Sequence, residues 1–320
     1  MHKRFSAVLF VFVVSFPALS LNPKLPPGKN FNLSPFKLQT LNQNLAFFEM
    51  ASDSLVNGYT SKWFYTDTTD GSMVFSTPEN GGTTSGSNYP RNELRQTSAG
   101  ANWKLTDTTT KIMTASCKVT KAPATVVIGQ VHGSNNNSEL VELEWMGNSA
   151  GNCKVSAMFQ TNNSAGSNYF VDLATGLSLG SLVTYELKMK GGTLTVTVNG
   201  KAGSETYTTQ YYGTTDGYYF KAGNYLQTSS SSTTVSEVHF YSLTVLGATN
   251  PTNIAPGNSS SELRRVPNSA SLVPKPSIGN QTFFRSNAVF NALGMRVANS
   301  ISGRTMPVGL YFVKPESAVR

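Results

Sequence analysis

Between residues 41 and 247 the chain has only two arginines, Arg91 and Arg95, four positions apart in "RNELR", while ten lysines serve the rest of that stretch. Arginine differs from lysine in offering a flat, permanently charged fork that meets a carboxylate at two points. On a strand, side chains alternate, so Arg91, Glu93 and Arg95 share one face and Asn92 and Leu94 the other. Two more segments put polar groups on one face of an apolar strand. In "VVIGQVHG" these are Gln130 and His132; in "YYFKAGNYLQ" they are Tyr219, Lys221, Tyr225 and Gln227, with Gly223 between them. Each segment also has a plain structural reading: a solvated charge ladder, a packed histidine, an exposed strand face. Their combination argues for more. Glycine beside polar residues in two of the three suggests that something approaches the backbone closely.

The set is rich in donors and poor in acids, with Glu93 the one carboxylate. Glycoside hydrolysis needs two carboxylates flanking the bond. The nearest pair, Glu142 and Glu144 in "ELVELEW", alternates with Val141, Leu143 and Trp145 and is expected on a solvated face. A serine nucleophile elbow and a phosphate-binding loop are both absent. The set suits β-elimination on a uronic acid. Arginine and glutamine donors at the C6 carboxylate stabilise the enediolate that forms when C5 loses its proton. A histidine or tyrosine takes that proton, and a tyrosine hydroxyl protonates the leaving oxygen. This chemistry requires no metal or organic cofactor. A non-catalytic sandwich that holds acidic polysaccharide in the same groove is the competing reading. It has no need of a placed base and acid such as His132 and Tyr225.

The elements that must position these groups read as short strands. "KIMTASCKV" alternates with Met113, Ala115, Cys117 and Val119 on one side. "TLTVTVNG" alternates Leu194, Val196 and Val198 with threonines and ends in an Asn199-Gly200 hairpin turn. "SEVHFYSLTVLG" resembles a last strand, and "LNQNLAFFEMA" has room for one or two helical turns. Many short strands with Gly-rich turns predict an all-β antiparallel sandwich or jelly roll over residues 41–247.

Around that domain, residues 1–20 read as a signal peptide, with basic "HKR", apolar "FSAVLFVFVVSF" and small residues Ala18 and Ser20 before a cleavage site. Residues 21–40 and 248–282 read as linkers, and residues 283–320 as two or three short strands. The protein is therefore expected to be exported, with no membrane span once processed. In an oxidising compartment Cys117 and Cys153 are candidates for a disulfide, and two cysteines without a histidine cluster make no zinc site. The net charge of +8 is uneven: residues 41–247 carry −3 and residues 248–320 carry +6. A slightly acidic central domain removes most of the case for nucleic acid as a partner.

"RNELR", "QVH" and "YFKAGNYLQ", in this order, resemble the three signature segments of polysaccharide lyase family 7, the alginate lyases. The resemblance implies a β-jelly roll with a substrate groove on its concave sheet, alginate as substrate, and a monomer. It implies that Arg91 and Gln130 neutralise the uronate carboxylate and that His132 and Tyr225 are the acid/base pair. Arg95, Lys221 and Tyr219 would line the groove, with Glu93 orienting the arginines and Gln227 nearby. In the family, valine at the middle of "QVH", here Val131, accompanies a preference for mannuronate. The C-terminal "NALGMRV" and "GLYFVK" look similar to sorting segments of bacterial secretion systems.

Overall fold

The computed structural model describes residues 21–97, 101–134, 139–161, 164–212 and 217–246, and three short strands nearer the C-terminus. The proposed signal peptide and the 248–282 linker lie outside the described residues. The chain divides into two compact units, residues 1–255 and 256–320.

The first unit is a jelly roll of two antiparallel sheets. One has eight strands in the order β10 (Ser164–Leu177), β9 (Cys153–Thr161), β8 (Glu139–Met146), β7 (Val126–Gly133), β14 (Tyr218–Leu226), β5 (Arg91–Gln96), β1 (Phe36–Leu41) and β2 (Phe47–Met50). The other has seven: β13 (Lys201–Thr206), β12 (Thr193–Val198), β11 (Leu182–Lys190), β6 (Lys111–Lys121), β15 (Val235–Val245), β4 (Met73–Pro78) and β3 (Phe64–Thr66). The predicted alternation holds. Met113, Ala115, Cys117 and Val119 from one sheet and Val141, Leu143 and Trp145 from the other close on a common core. Asn199 and Gly200 turn β12 into β13 with φ of 48° and 86°, the left-handed pair a two-residue hairpin demands. In the second unit, β16 (Ala288–Asn291), β17 (Arg296–Ala298) and β18 (Tyr311–Lys314) form an antiparallel sheet in the order β17-β16-β18. This matches the expected two or three strands.

Several expectations are corrected. Residues 21–40 are not a linker. They form the one-turn helix α1 (Pro27–Asn30), begun by a proline that needs no partner for its missing N–H, and most of β1. Phe31, Leu33, Phe36 and Leu38 all lie in the core. Short proline-spaced apolar residues look like a linker in one dimension because burial is supplied by strands distant in sequence. "LNQNLAFFEMA" is the β1–β2 hairpin, with Leu38 opposite Met50 and Leu41 opposite Phe47, and not a helix. A five-residue helix, α2 (Ser52–Val56), follows it.

Cys117 and Cys153 are free and buried, not bridged. Cys117 enters the core from β6 of the seven-stranded sheet and Cys153 from the start of β9 of the eight-stranded sheet. Burial pushes the Cys117 thiol up to about 12, and Cys153 donates to the Ser149 carbonyl at 3.3 Å. Glu142 and Glu144 are not solvated: 9% and 7% of their surface is exposed. They do lie on the face away from the core, as alternation requires, on the sheet that carries the cleft described below, and neighbouring side chains cover them there. The glycines are explained by the protein itself rather than by a ligand. A Cβ on Gly223 would come within 2.6 Å of the Asn92 carbonyl oxygen, and one on Gly129 within 3.1 Å of the Tyr185 ring.

Candidate active site

Three adjacent strands, β7, β14 and β5, carry the site. Register sets Lys221 beside Arg95, Gly223 beside Glu93 and Tyr225 beside Arg91. On the other side of β14, Tyr219 stands beside His132 and Lys221 beside Gln130. The three sequence segments therefore become one patch. Two inward-pointing amides fix these strands to the opposite sheet. Asn92 donates to the Trp63 and Ser76 carbonyls, and Asn224 to those of Phe75 and Ser236. Both are fully buried, so each unmade bond would leave a polar group without water.

At the centre is Glu93, 1% exposed. It accepts hydrogen bonds from Lys221 Nζ and Gln130 Nε2, each at 2.5 Å, and from Arg91 at 3.3 Å. Burial alone would push its carboxyl up, but the Lys221 and Arg91 charges outweigh that and hold it below the usual range. The resemblance implies that Lys221 lines the groove and that Glu93, counted with the substrate-binding residues, orients the arginines. Lys221 borders the cleft, whereas Glu93 lies beneath it and anchors what lines it. Gln130 is also beneath, with one N–H committed to Glu93 and its Oε1 buried without a partner. Only its second N–H remains for a substrate.

Each arginine stacks on a tyrosine. The Arg91 guanidinium carbon lies 3.9 Å from the Tyr225 ring centre and that of Arg95 4.3 Å from the Tyr219 ring. The stacking holds each fork in place without using its N–H donors. Among the described residues no carboxylate forms an ion pair with Arg95, which leaves its charge for a ligand.

His132 Nδ1 contacts the Gly133 carbonyl at 2.7 Å. A carbonyl only accepts, so Nδ1 carries the hydrogen and Nε2 presents a lone pair. Burial, and after it the Lys221 charge, draws this imidazole down to about 4, so it is neutral at pH 7. Its ring stacks on Tyr219 with centres 5.5 Å apart. Tyr225 is raised above the ordinary phenol value, by burial first, and so keeps its proton. The site thus holds a bare base and a protonated acid.

The cleft above this patch has a volume of about 910 Å³. Arg91, Arg95, His132, Tyr219 and Lys221 border it; Tyr225 is not among the bordering residues and packs against Arg91, which is. Gln227 lies past the end of β14, with its amide 3.4 Å from the Tyr225 carbonyl, and does not border the cleft. Several bordering residues were not found from sequence: Gln39, Phe47 and Glu49 from the β1–β2 hairpin, the loop Thr83–Gly86, and Glu139. Ser87 was also missed; its hydroxyl lies 2.9 Å from that of Tyr225. It is four residues before Arg91, in a loop with no pattern of its own, so proximity to a motif was the only available signal.

A jelly roll with a cation-lined groove holding a neutral base and a phenolic acid defines a protein that handles acidic polymers. The comparisons narrow this further. The sequence profile of the family described as alginate lyase matches residues 31–246. The chain belongs to that family, polysaccharide lyase family 7. Among solved structures it is similar to alginate lyase A1-II′, a member of that family, with 35% identity over 68% of this chain and 97% of that one and a TM-score of 0.61. It is also similar to an alginate lyase from Pseudomonas aeruginosa, with 27% identity over 68% and 99% of the two chains and a TM-score of 0.60. A variant of A1-II′ with one histidine changed to asparagine and one tyrosine to phenylalanine was solved in complex with substrate GGMG; it is 34% identical over 69% and 95%, with a TM-score of 0.61. No curated protein matches the chain.

Proposed function

We propose that this protein is an exported, endo-acting alginate lyase with a preference for mannuronate. The observation that carries the activity is the pairing of a neutral His132 with a protonated Tyr225 beside three buried or half-buried cations. Arg91, Arg95 and the free N–H of Gln130 bind the C6 carboxylate and stabilise the negative charge that moves onto it. His132 Nε2 takes the C5 proton. The C5–H electron pair forms the C4–C5 double bond, the C4–O bond breaks, and Tyr225 gives its proton to the departing oxygen. Base and acid thus start in the protonation states the step needs at pH 7. A binding-only groove has no use for that arrangement. Histidine and tyrosine are also the residue types replaced in the A1-II′ substrate complex.

Endo action is supported by the length of the cleft. It runs from Glu49 on β2 to Glu139 on β8, across six strands. At about 4.8 Å between strands this is about 24 Å, room for an internal stretch of polymer. Export rests on residues 1–20. The mannuronate preference rests on Val131, which is fully buried under the groove strand and acts on the cleft only through packing.

Poly-mannuronate and poly-guluronate, incubated separately, test the reading through the ultraviolet absorbance of the new double bond and the product sizes. Absorbance should rise on both, faster on poly-mannuronate, with mid-sized oligomers first. Chain shortening without absorbance would mean hydrolysis. Faster guluronate cleavage would overturn the preference, and release of single sugars from the start would overturn endo action.

A further inference from the structure

On the groove face, the tract beyond Gln130 carries acids where the tract before it carries cations. Glu142 on β8 stands opposite Gln130 on one side and Met158 of β9 on the other, so it rises on the groove face. It is 9% exposed and accepts no hydrogen bond and no ion pair from any described residue. Glu144, 7% exposed, is likewise without a partner, while Glu139 accepts from Gln160 at 3.1 Å.

The groups that face Glu142 offer it no counter-charge. β7 contributes Gln130 and His132, the latter neutral. β8 contributes Glu139 and Glu144, and β9 contributes Ser156, Met158 and Gln160. Glu93 and Lys221 act from further along the sheet, and Lys221 is already bound to Glu93 at 2.5 Å. Burial first, then Glu139, Glu144 and Glu93, push the Glu142 carboxyl up to about 8 against the pull of Lys221. Burial raises Glu144 to about 7. An ionised Glu142 would repel every sugar of a polyuronate. Glu142 is not among the residues that border the cleft, but it shares their sheet face next to Gln130, and a protonated carboxyl there is a hydrogen-bond donor beside the cleft.

We propose that Glu142 enters the groove as a neutral carboxylic acid and donates a hydrogen bond to a carboxylate or hydroxyl oxygen of the bound uronate chain, so that polymer binding is linked to retention of its proton. This rests on the reading of the cleft as a polyuronate groove. It makes Glu142 a specificity-determining residue that works through binding, since it stands apart from the proton-transfer pair.

The test is KM and kcat for alginate from pH 6 to 10 in the wild type, Glu142→Gln and Glu142→Leu. Ionisation of Glu142 raises wild-type KM by up to about tenfold per pH unit above the titration midpoint. Lys221, drawn down to about 8 by burial, loses its charge in the same range, so the deciding quantity is the difference between proteins. Glu142→Gln keeps an N–H donor and cannot ionise; its KM at pH 9 should lie about threefold or more below the wild-type value, with the kcat curves parallel. Glu142→Leu, which has no donor, should have a raised KM already at pH 6. Superimposable wild-type and Gln curves overturn the proposal, and so does a Leu variant with wild-type KM at pH 6.

Should the Leu variant fail to fold, the Gln comparison still decides. A second measurement is independent of turnover. Alginate oligosaccharide binding to Tyr225→Phe at pH 8, in buffers of different ionisation heat, should take up about half a proton, and Tyr225→Phe/Glu142→Gln should take up less. Equal uptake overturns the proposal. A wild type that neither binds nor cleaves alginate overturns the reading of the groove as well, whereas cleavage without these differences overturns the role of Glu142 alone.

Discussion

The two outer faces of the sandwich are built by the same alternation and end in opposite states. On the seven-stranded sheet, outward hydroxyls pair across strands in the open: Thr114 with Thr244 at 2.6 Å, Ser116 with Ser242 at 2.7 Å, Thr193 with Thr206 at 3.0 Å. On the eight-stranded sheet the outward positions hold Glu93, Gln130 and Lys221, exposed by 1–2%. Water competes for every bond on the first face and for few on the second. Charges on the second face therefore interact strongly, shift one another's protonation, and are costly to leave unpaired. On the eight-stranded sheet the β1–β2 hairpin and the loop Thr83–Gly86 border the cleft and help to wall it in.

The largest test of this contrast removes part of the wall and floor together. A chain beginning at residue 41 loses Phe31, Leu33, Phe36 and Leu38 from the core. At about 1.5–3 kcal/mol each, that is about 6–12 kcal/mol, comparable with the roughly 5–15 kcal/mol of a whole domain. Such a chain should be insoluble or unfolded by circular dichroism, whereas one beginning at residue 21 should fold. Cooperative unfolding of the shorter chain would show that β1 is dispensable.

Next comes Tyr225→Phe, which deletes one hydroxyl from the walled face. Activity should fall by about 10²–10⁴ in the ultraviolet assay, with the melting temperature nearly unchanged. A variant retaining half the wild-type rate would remove Tyr225 from the acid role. Glu93→Ala should cost about 3–5 kcal/mol, because Lys221 is left buried without its partner. Thermal unfolding reports this as a melting temperature lower by about 6–20 °C. A shift within a degree would mean that the groove floor is as wet as the opposite face.

The pH dependence follows from His132. Its pKa is drawn down to about 4, and the neutral form is the base, so kcat/KM should hold from pH 7 down to about pH 5 and fall only near 4. An acid limb centred near 6.5 would place the ring in water. Thr244→Ala, on the open face, should change stability by no more than about 0.5 kcal/mol, read by denaturant unfolding, and leave activity untouched. A larger loss would mean that the threonine pairs there are shielded from solvent.

The grouping of the candidate site residues was legible in the sequence because it depends on residue type and strand period. "RNELR", "QVH" and "YFKAGNY" each kept their predicted face, with Gln227 past the end of β14, and His132, Tyr219, Lys221 and Tyr225 came together across neighbouring strands. The strands of β6, β8 and β12 were legible for the same reason: period two survives whatever the sheet packs against. The edges of the domain were not. Residues 21–40 become core only when β5 pairs with β1, Leu38 opposite Leu94. Helical spacing in "LNQNLAFFEMA" gave way to a hairpin for the same reason.

Depth was decided by tertiary structure alone. Alternation tells which way Glu142 points, and nothing in "ELVELEW" tells that its carboxyl is nine-tenths covered; the neighbours that cover it come from β7 and β9. Ser87 reached Tyr225, and Glu93 gathered Lys221, Gln130 and Arg91, through contacts between segments up to 138 residues apart. Sequence by itself determined which groups were available and which face they shared. Their ionisation state and their access to substrate were set by the folded sheet, because protonation depends on the loss of water and on neighbouring charges, and both are properties of the assembled groove.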